Sequence, residues 1–278
     1  MDISKSSTGT KVLQILNLLT VLLAVWAGYY VNSGANGTAD MKTMSDKYAN
    51  LLTPAGYAFS IWGLVYLGLV IFAIYQASGL FSKKGNSDVA AQTGIWFILA
   101  NLCNAAWVFA FSYDQIGLTV LIMIILFISL LRIVQIHNME RWDAQFWTIA
   151  LLWWPISLYF GWINVATIAN IACYLTALGW TGTPFNPELL AILILIVATT
   201  IFITMIWKRN MREYATVGVW GIVAIGINNL ESHPTVAWAA FLLAAVIFVN
   251  TGVHGYKNRA LGPIRRFRPK PISPLNKL

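Results

Sequence analysis

A chain of 278 residues with 58% hydrophobic and only 10% charged side chains, and a mean hydropathy of +0.68, cannot wrap an ordinary core in a wetted surface. That excludes a soluble globular protein and assigns the chain to a bilayer. The net charge of +8 does not argue for nucleic acid, because the placement of the basic residues reads as an insertion signal.

Runs near the roughly twenty apolar residues that span hydrocarbon predict eight helices, at about 12–31, 55–77, 93–112, 117–136, 145–175, 188–207, 215–230 and 235–255. Backbone groups in lipid must be satisfied within the segment, so spans of this length are helices. The first run is longer than a signal-peptide core and is read as a membrane span. NGT at 36–38 matches a glycosylation acceptor, a short pattern that carries no weight in a bacterial protein.

The second run, TPAGYAFSIWGLVYLGL, begins with Pro54 at the helix start, where a missing N–H costs little. Phe59, Trp62 and Tyr66 then share one face, and Gly63 and Gly68 are expected to let neighbouring helices approach. The third run carries Asn101, Asn104, Trp107 and Phe111 at helical spacing, and the fifth carries Tyr159, Trp162, Ala166, Thr167 and Asn170. Two readings of these stripes stand side by side. Either the amides are interhelical hydrogen bonds and the rings fill gaps, or the stripes converge on a pocket whose flat walls stack a planar ligand while the amides meet its polar edge.

Further along, FNPELL reads as a helix start, with Asn186 as N-cap, Pro187 in the first turn and Glu188 on the positive end of the dipole. The seventh run is short and glycine-rich. NNLESHP places Asn228, Asn229, Glu231 and His233 in one short connection, either a polar turn or a proton- or substrate-handling site. Asn250 and His254 share a face near the inner end of the eighth run and are expected to reach the interface.

With both termini on the cytoplasmic side, all but Lys42 and Lys47 of the 18 basic residues fall in cytoplasmic segments, the densest being the tail that contains RRFRPKP. That tail can also meet anionic headgroups. Cys103 and Cys173 lie within spans and suggest no disulfide framework. His137, His233 and His254 show no metal-ligand spacing. Nucleophile elbows, phosphate-cradling loops and paired intramembrane carboxylates do not occur either. No catalytic residue, metal ligand or required cofactor is expected, and the chain is not expected to be an enzyme.

In order and placement these stretches resemble the TspO/MBR family, the tryptophan-rich sensory proteins related to the mitochondrial translocator protein. The matching elements are Pro54, Trp62 and Tyr66 in the second run, NAAW with Asn104 and Trp107 in the third, and WINVATIAN with Trp162, Ala166, Thr167 and Asn170 in the fifth. The resemblance covers about residues 10–175. It departs from the family at a single Pro54 followed by Ala55, at Pro155 seven residues before Trp162, and in the composition of the 32–52 loop, which caps the pocket in relatives.

The resemblance implies a five-helix bundle, since members of the family typically end after five spans; with the eight apolar runs it gives an all-α polytopic membrane protein of about eight transmembrane helices. Residues 1–180 would form a TspO-like five-helix core, 181–256 a three-helix extension and 257–278 a basic cytoplasmic tail. The implied function is a membrane receptor, sensor or transporter binding a hydrophobic planar ligand, porphyrin-like or sterol-like, with a tetrapyrrole as candidate. Carried onto this chain, the candidate ligand-binding residues are Trp62, Tyr66, Asn104, Trp107, Trp162, Ala166 and Asn170; Trp62 and Trp162 would be stacking walls, Tyr66 and the asparagines would meet the polar edge, and Ala166 would leave space. Expected partners are the lipid bilayer, that small molecule and a homodimer, with no nucleic acid. The expected location is the plasma (inner) membrane. Two alternatives remain, a proton-coupled transporter of a small metabolite using Glu231 and His233, and a structural or assembly subunit of a membrane complex.

Overall fold

The computed structural model describes residues 8–35, 37–81, 87–141 and 144–259, so Asn36, Lys83, Lys84 and the RRFRPKP tail lie outside the described residues. Each predicted apolar run is a helix. They are α1 (Thr8–Asn32), α3 (Ile61–Ala77), α5 (Trp96–Ser112), α6 (Ile116–Ile136), α8 (Trp154–Ala177), α9 (Pro187–Arg209), α10 (Arg212–Asn229) and α11 (Pro234–Lys257). Short helices join them: α2 (Met41–Lys47), α4 (Ser87–Thr93) and α7 (Phe146–Thr148). Among the described residues there is no strand, and six helical segments are individually long and apolar enough to cross a membrane, with α5 and α10 falling short. The chain is an all-α, multi-pass integral membrane protein. Leu22, Leu67, Leu121, Val197, Trp238 and Leu242 point outward, as a lipid-facing surface requires.

Local chemistry sets several boundaries. The Asn186 side chain accepts from Leu189 N at 3.0 Å and Pro187 occupies the first turn, so α9 starts where FNPELL predicts. In the polar 32–52 loop, where no apolar run predicts a helix, Asp40 accepts from Thr43 N at 2.7 Å and caps α2. The fifth span is one continuous helical path whose Ile149–Trp153 turn is π-helical. Pro155 follows that turn; it cannot donate a helical hydrogen bond, and its ring crowds the carbonyl four residues back. Asn210 ends α9 at φ 59° in the left-handed region, which turns the chain into α10 after a single further residue.

Five helices form a closed ring, in which α1 packs on α3, α3 on α8, α8 on α6, α6 on α5 and α5 on α1. Outside it, α9, α10 and α11 pack on one another, and α10 lies along the outer side of α8. The glycines of the seventh run explain that docking. A Cβ on Gly218, Gly221 or Gly226 would lie 2.6 Å from Phe202 of α9, Val165 of α8 or Phe241 of α11, so α10 lies against three helices at once. Gly161 of α8 answers from the other side, 2.6 Å from the Tyr214 carbonyl by the same measure. Of the two glycines expected to admit neighbours on α3, Gly68 does so, with Pro155 Cα 3.3 Å from where its Cβ would be. Gly63 does not, because a Cβ there would meet nothing within 4 Å; it faces open space rather than a partner helix.

Candidate functional site

The three stripes converge inside the five-helix ring. Trp62 stacks on Tyr66 at 5.3 Å between ring centroids, lies 6.3 Å from Trp107, and meets Tyr159 and Trp162 edge-on at 6.2 and 6.3 Å. Trp107 in turn stacks on Phe111 at 5.0 Å, and Phe59 meets Trp162 edge-on at 6.4 Å. Between these rings is a chamber of about 40 Å³, bordered by Trp62, Trp107, Trp162, Ala166 and Asn170. Small-molecule sites run to roughly 300–1,000 Å³, so in this conformation the walls pack mainly on each other.

The polar groups divide by location. Asn170 of α8 accepts from Trp107 Nε1 at 2.6 Å and donates to Thr119 Oγ1 of α6 at 2.8 Å, linking three helices in the buried core. Tyr66 and Asn104 do not line the chamber. The Tyr66 hydroxyl donates to Asn104 Oδ1 at 3.3 Å and rests against Gly28 of α1, where any Cβ would collide with it. The indole N–H groups of Trp62 and Trp162 are buried and have no hydrogen-bond partner among the described residues. Thr167 returns its hydroxyl to Ile163 O within its own helix.

A strap of chain closes the chamber on one side. Thr53 and Pro54 line it, and Asn50 shapes the preceding turn by accepting from Leu52 N at 2.9 Å. Tyr48 donates to Asp114 at 2.8 Å and Lys47 pairs with the same carboxylate, whose pKa these contacts hold below the usual carboxylate range. On the other side α10 grips the strap at three points. Asn229 Nδ2 donates to Leu51 O at 3.1 Å, Ala55 N donates to Ala224 O at 3.0 Å, and Trp220 Nε1 donates to Ala58 O at 3.2 Å. The chamber's cover is therefore fastened by a helix that lies outside the ring.

The family model of TSPO-like proteins matches residues 14–253. The chain belongs to the TSPO-like family. Family membership makes it a membrane protein of the sensing or binding kind. The match runs beyond residue 175 through α9, α10 and most of α11, so the resemblance extends over the last three helices as well. No curated protein and no solved structure matches the chain.

Several polar contacts were not singled out from sequence. Gln14 and Asn17 of α1 and Gln76 of α3 form a buried amide cluster, with Gln14 Nε2 donating to Gln76 O at 2.7 Å and Asn17 Nδ2 to Gln76 Oε1 at 3.1 Å. The spacing of Gln14 and Asn17, three apart in an apolar run, was the available signal. The NNLESHP residues do not act as one cluster. Asn229 turns to the strap, Glu231 is exposed, and His233 pairs at 2.9 Å with Glu188 of α9. His254 lies in the last turn of α11. It is buried, 3.1 Å from Asn210 Oδ1, while Asn250 Oδ1 accepts from Trp207 Nε1 at 3.0 Å.

Proposed function

We propose that this TSPO-like protein is a receptor that binds a hydrophobic planar molecule, a tetrapyrrole or a sterol-like ring system, among Trp62, Trp107, Trp162, Ala166 and Asn170. One observation carries the reading: tryptophans from α3, α5 and α8 meet at a single chamber, two of them with buried indole N–H groups that have no partner among the described residues. A buried donor without an acceptor costs about 1–3 kcal/mol, which a ligand carbonyl, carboxylate or ring nitrogen would recover. Because the chamber holds only about 40 Å³, admission of the ligand requires the Trp62 and Trp162 rings to part beneath the 49–54 strap. Tyr66 and Asn104 then act from behind, fixing the Trp62 ring through the Tyr66 stack.

Absorbance titration with protoporphyrin IX, on protein held in phosphatidylcholine nanodiscs, tests this. Saturable binding is expected, with a change in near-ultraviolet circular dichroism as the indoles move, and loss of binding in Trp62→Ala and in Trp162→Ala variants of unchanged helicity. Binding that ignores both substitutions, or that never saturates, would show that the rings are packing.

A further inference from the structure

A cavity far larger than the aromatic chamber lies elsewhere among the described residues. It measures about 790 Å³ and lies on the opposite side of α8, between that helix, the start of α9, the 49–52 strap and the turn joining α10 to α11. Ile171 and Leu175 of α8 face Leu190 and Ile194 of α9 within it. Its size falls inside the roughly 300–1,000 Å³ range of drug-sized ligand sites, whereas the aromatic chamber does not. Its polar groups gather at one end, where Asn228, Ser232 and His233 line it.

That end has a charge sign. His233 donates through Nδ1 to the Glu188 carboxylate at 2.9 Å, and Glu231 stands exposed in the same turn. Among the described residues lining the cavity none is lysine or arginine. The basic residues at this end, Lys42 and Lys47, are engaged by Asp46 and Asp114. No carboxylate lines the cavity itself, but Glu188 stands behind the lining residue His233 at its rim, so a phosphate or carboxylate headgroup would find no lysine or arginine there, while an ammonium at the rim would reach Glu188, which keeps a second oxygen to accept with. We infer that this cavity is a second ligand site, distinct from the aromatic chamber, and that it takes a single cationic amphiphile of drug size. The apolar body lies between α8 and α9, and its amine pairs with Glu188 at the rim beside His233. An apolar body with one charged tip placed at a bundle end is the arrangement in which such molecules lose least hydration.

The test uses three probes sharing one dansyl-undecyl body and ending in an ammonium, an alcohol or a carboxylate, titrated by fluorescence against the full chain in phosphatidylcholine nanodiscs. The ammonium probe is expected to saturate and to bind about ten- to a hundredfold tighter than the alcohol, the worth of a hydrogen bond to a charged group. Glu188→Gln should remove that preference. Ala172→Phe, which fills the cavity from α8, should abolish binding of both probes, and Ile194→Trp serves from the opposite wall if the first variant fails to fold. Equal binding of the three head groups, indifference to Glu188→Gln, or signal no greater than that of empty nanodiscs would overturn the inference. So would a phospholipid that co-purifies in the cavity and resists displacement by all three probes.

Discussion

Asn170 separates two jobs that the sequence could not tell apart, since it can hold helices together or hold a ligand. In the structure its amide makes two interhelical hydrogen bonds, to Trp107 at 2.6 Å and to Thr119 at 2.8 Å, both buried. Replacing it with Leu, similar in volume, removes both. Thr119 loses little, because its hydroxyl already donates to Ile116 O at 2.6 Å. Trp107 is left with a buried, unmatched N–H. Interhelical hydrogen bonds in membranes are worth about 0.6–2 kcal/mol each, and an orphaned donor costs about 1–3 kcal/mol, so Asn170→Leu should destabilise by about 2–4 kcal/mol. In a Trp107→Phe background one bond and the orphan are already gone, and the same change should cost about 1–2 kcal/mol less. Reversible unfolding in mixed detergent micelles, followed by far-ultraviolet circular dichroism for the four members of the cycle, measures the coupling. Strict additivity, or a cost below about 0.5 kcal/mol for Asn170→Leu, would refute the assignment of Asn170 to the helix-linking network.

Two further outcomes follow from the packing. Gly161→Ala forces a methyl to within 2.6 Å of the Tyr214 carbonyl, a backbone atom that cannot swing aside, so α8 and α10 must separate; a loss of about 1–3 kcal/mol is expected in the same unfolding assay. Gly63→Ala, which meets nothing within 4 Å, should cost nothing, and an equal loss at both positions would sink the close-approach argument. At the end of α6, His137 is buried with Nε2 2.7 Å from Thr93 Oγ1, and burial pushes its pKa down to about 4. A folded-state value below the unfolded one means that the neutral form is favoured by folding. Its contribution is complete above about pH 6.5 and is lost as pH falls toward 4, on the order of 2–3 kcal/mol. Unfolding midpoints from pH 7 to 4 should show this slope and lose it in His137→Gln.

Sequence by itself determined what depends on one helix at a time. Span lengths follow from bilayer thickness, so all eight apolar runs became helices close to their expected limits. The α9 start is legible because an Asn–Pro–Glu cap is a contact among neighbours in the chain. Spacing likewise put Trp62 with Phe59 and Tyr66, Trp107 with Asn104 and Phe111, and Trp162 with Ala166 and Asn170 on single helix faces, because 3.6 residues per turn fixes which side chains of one helix face together; that the three faces meet did not follow from it.

Tertiary structure alone decided the distances between those faces. Spacing places Tyr66 and Trp62 on one stripe, yet only the approach of α1 at Gly28 turns the Tyr66 hydroxyl away from the chamber and toward Asn104. Nor could periodicity reveal that the rings close to about 40 Å³ while a cavity of about 790 Å³ opens across α8, since empty volume depends on how several helices fail to meet. The grip of α10 on the 51–58 strap joins residues more than 160 positions apart. Nothing in either segment taken singly encodes it. The glycines of the seventh run are the surface by which α10 approaches α8, α9 and α11, and that meaning exists only once those helices surround it.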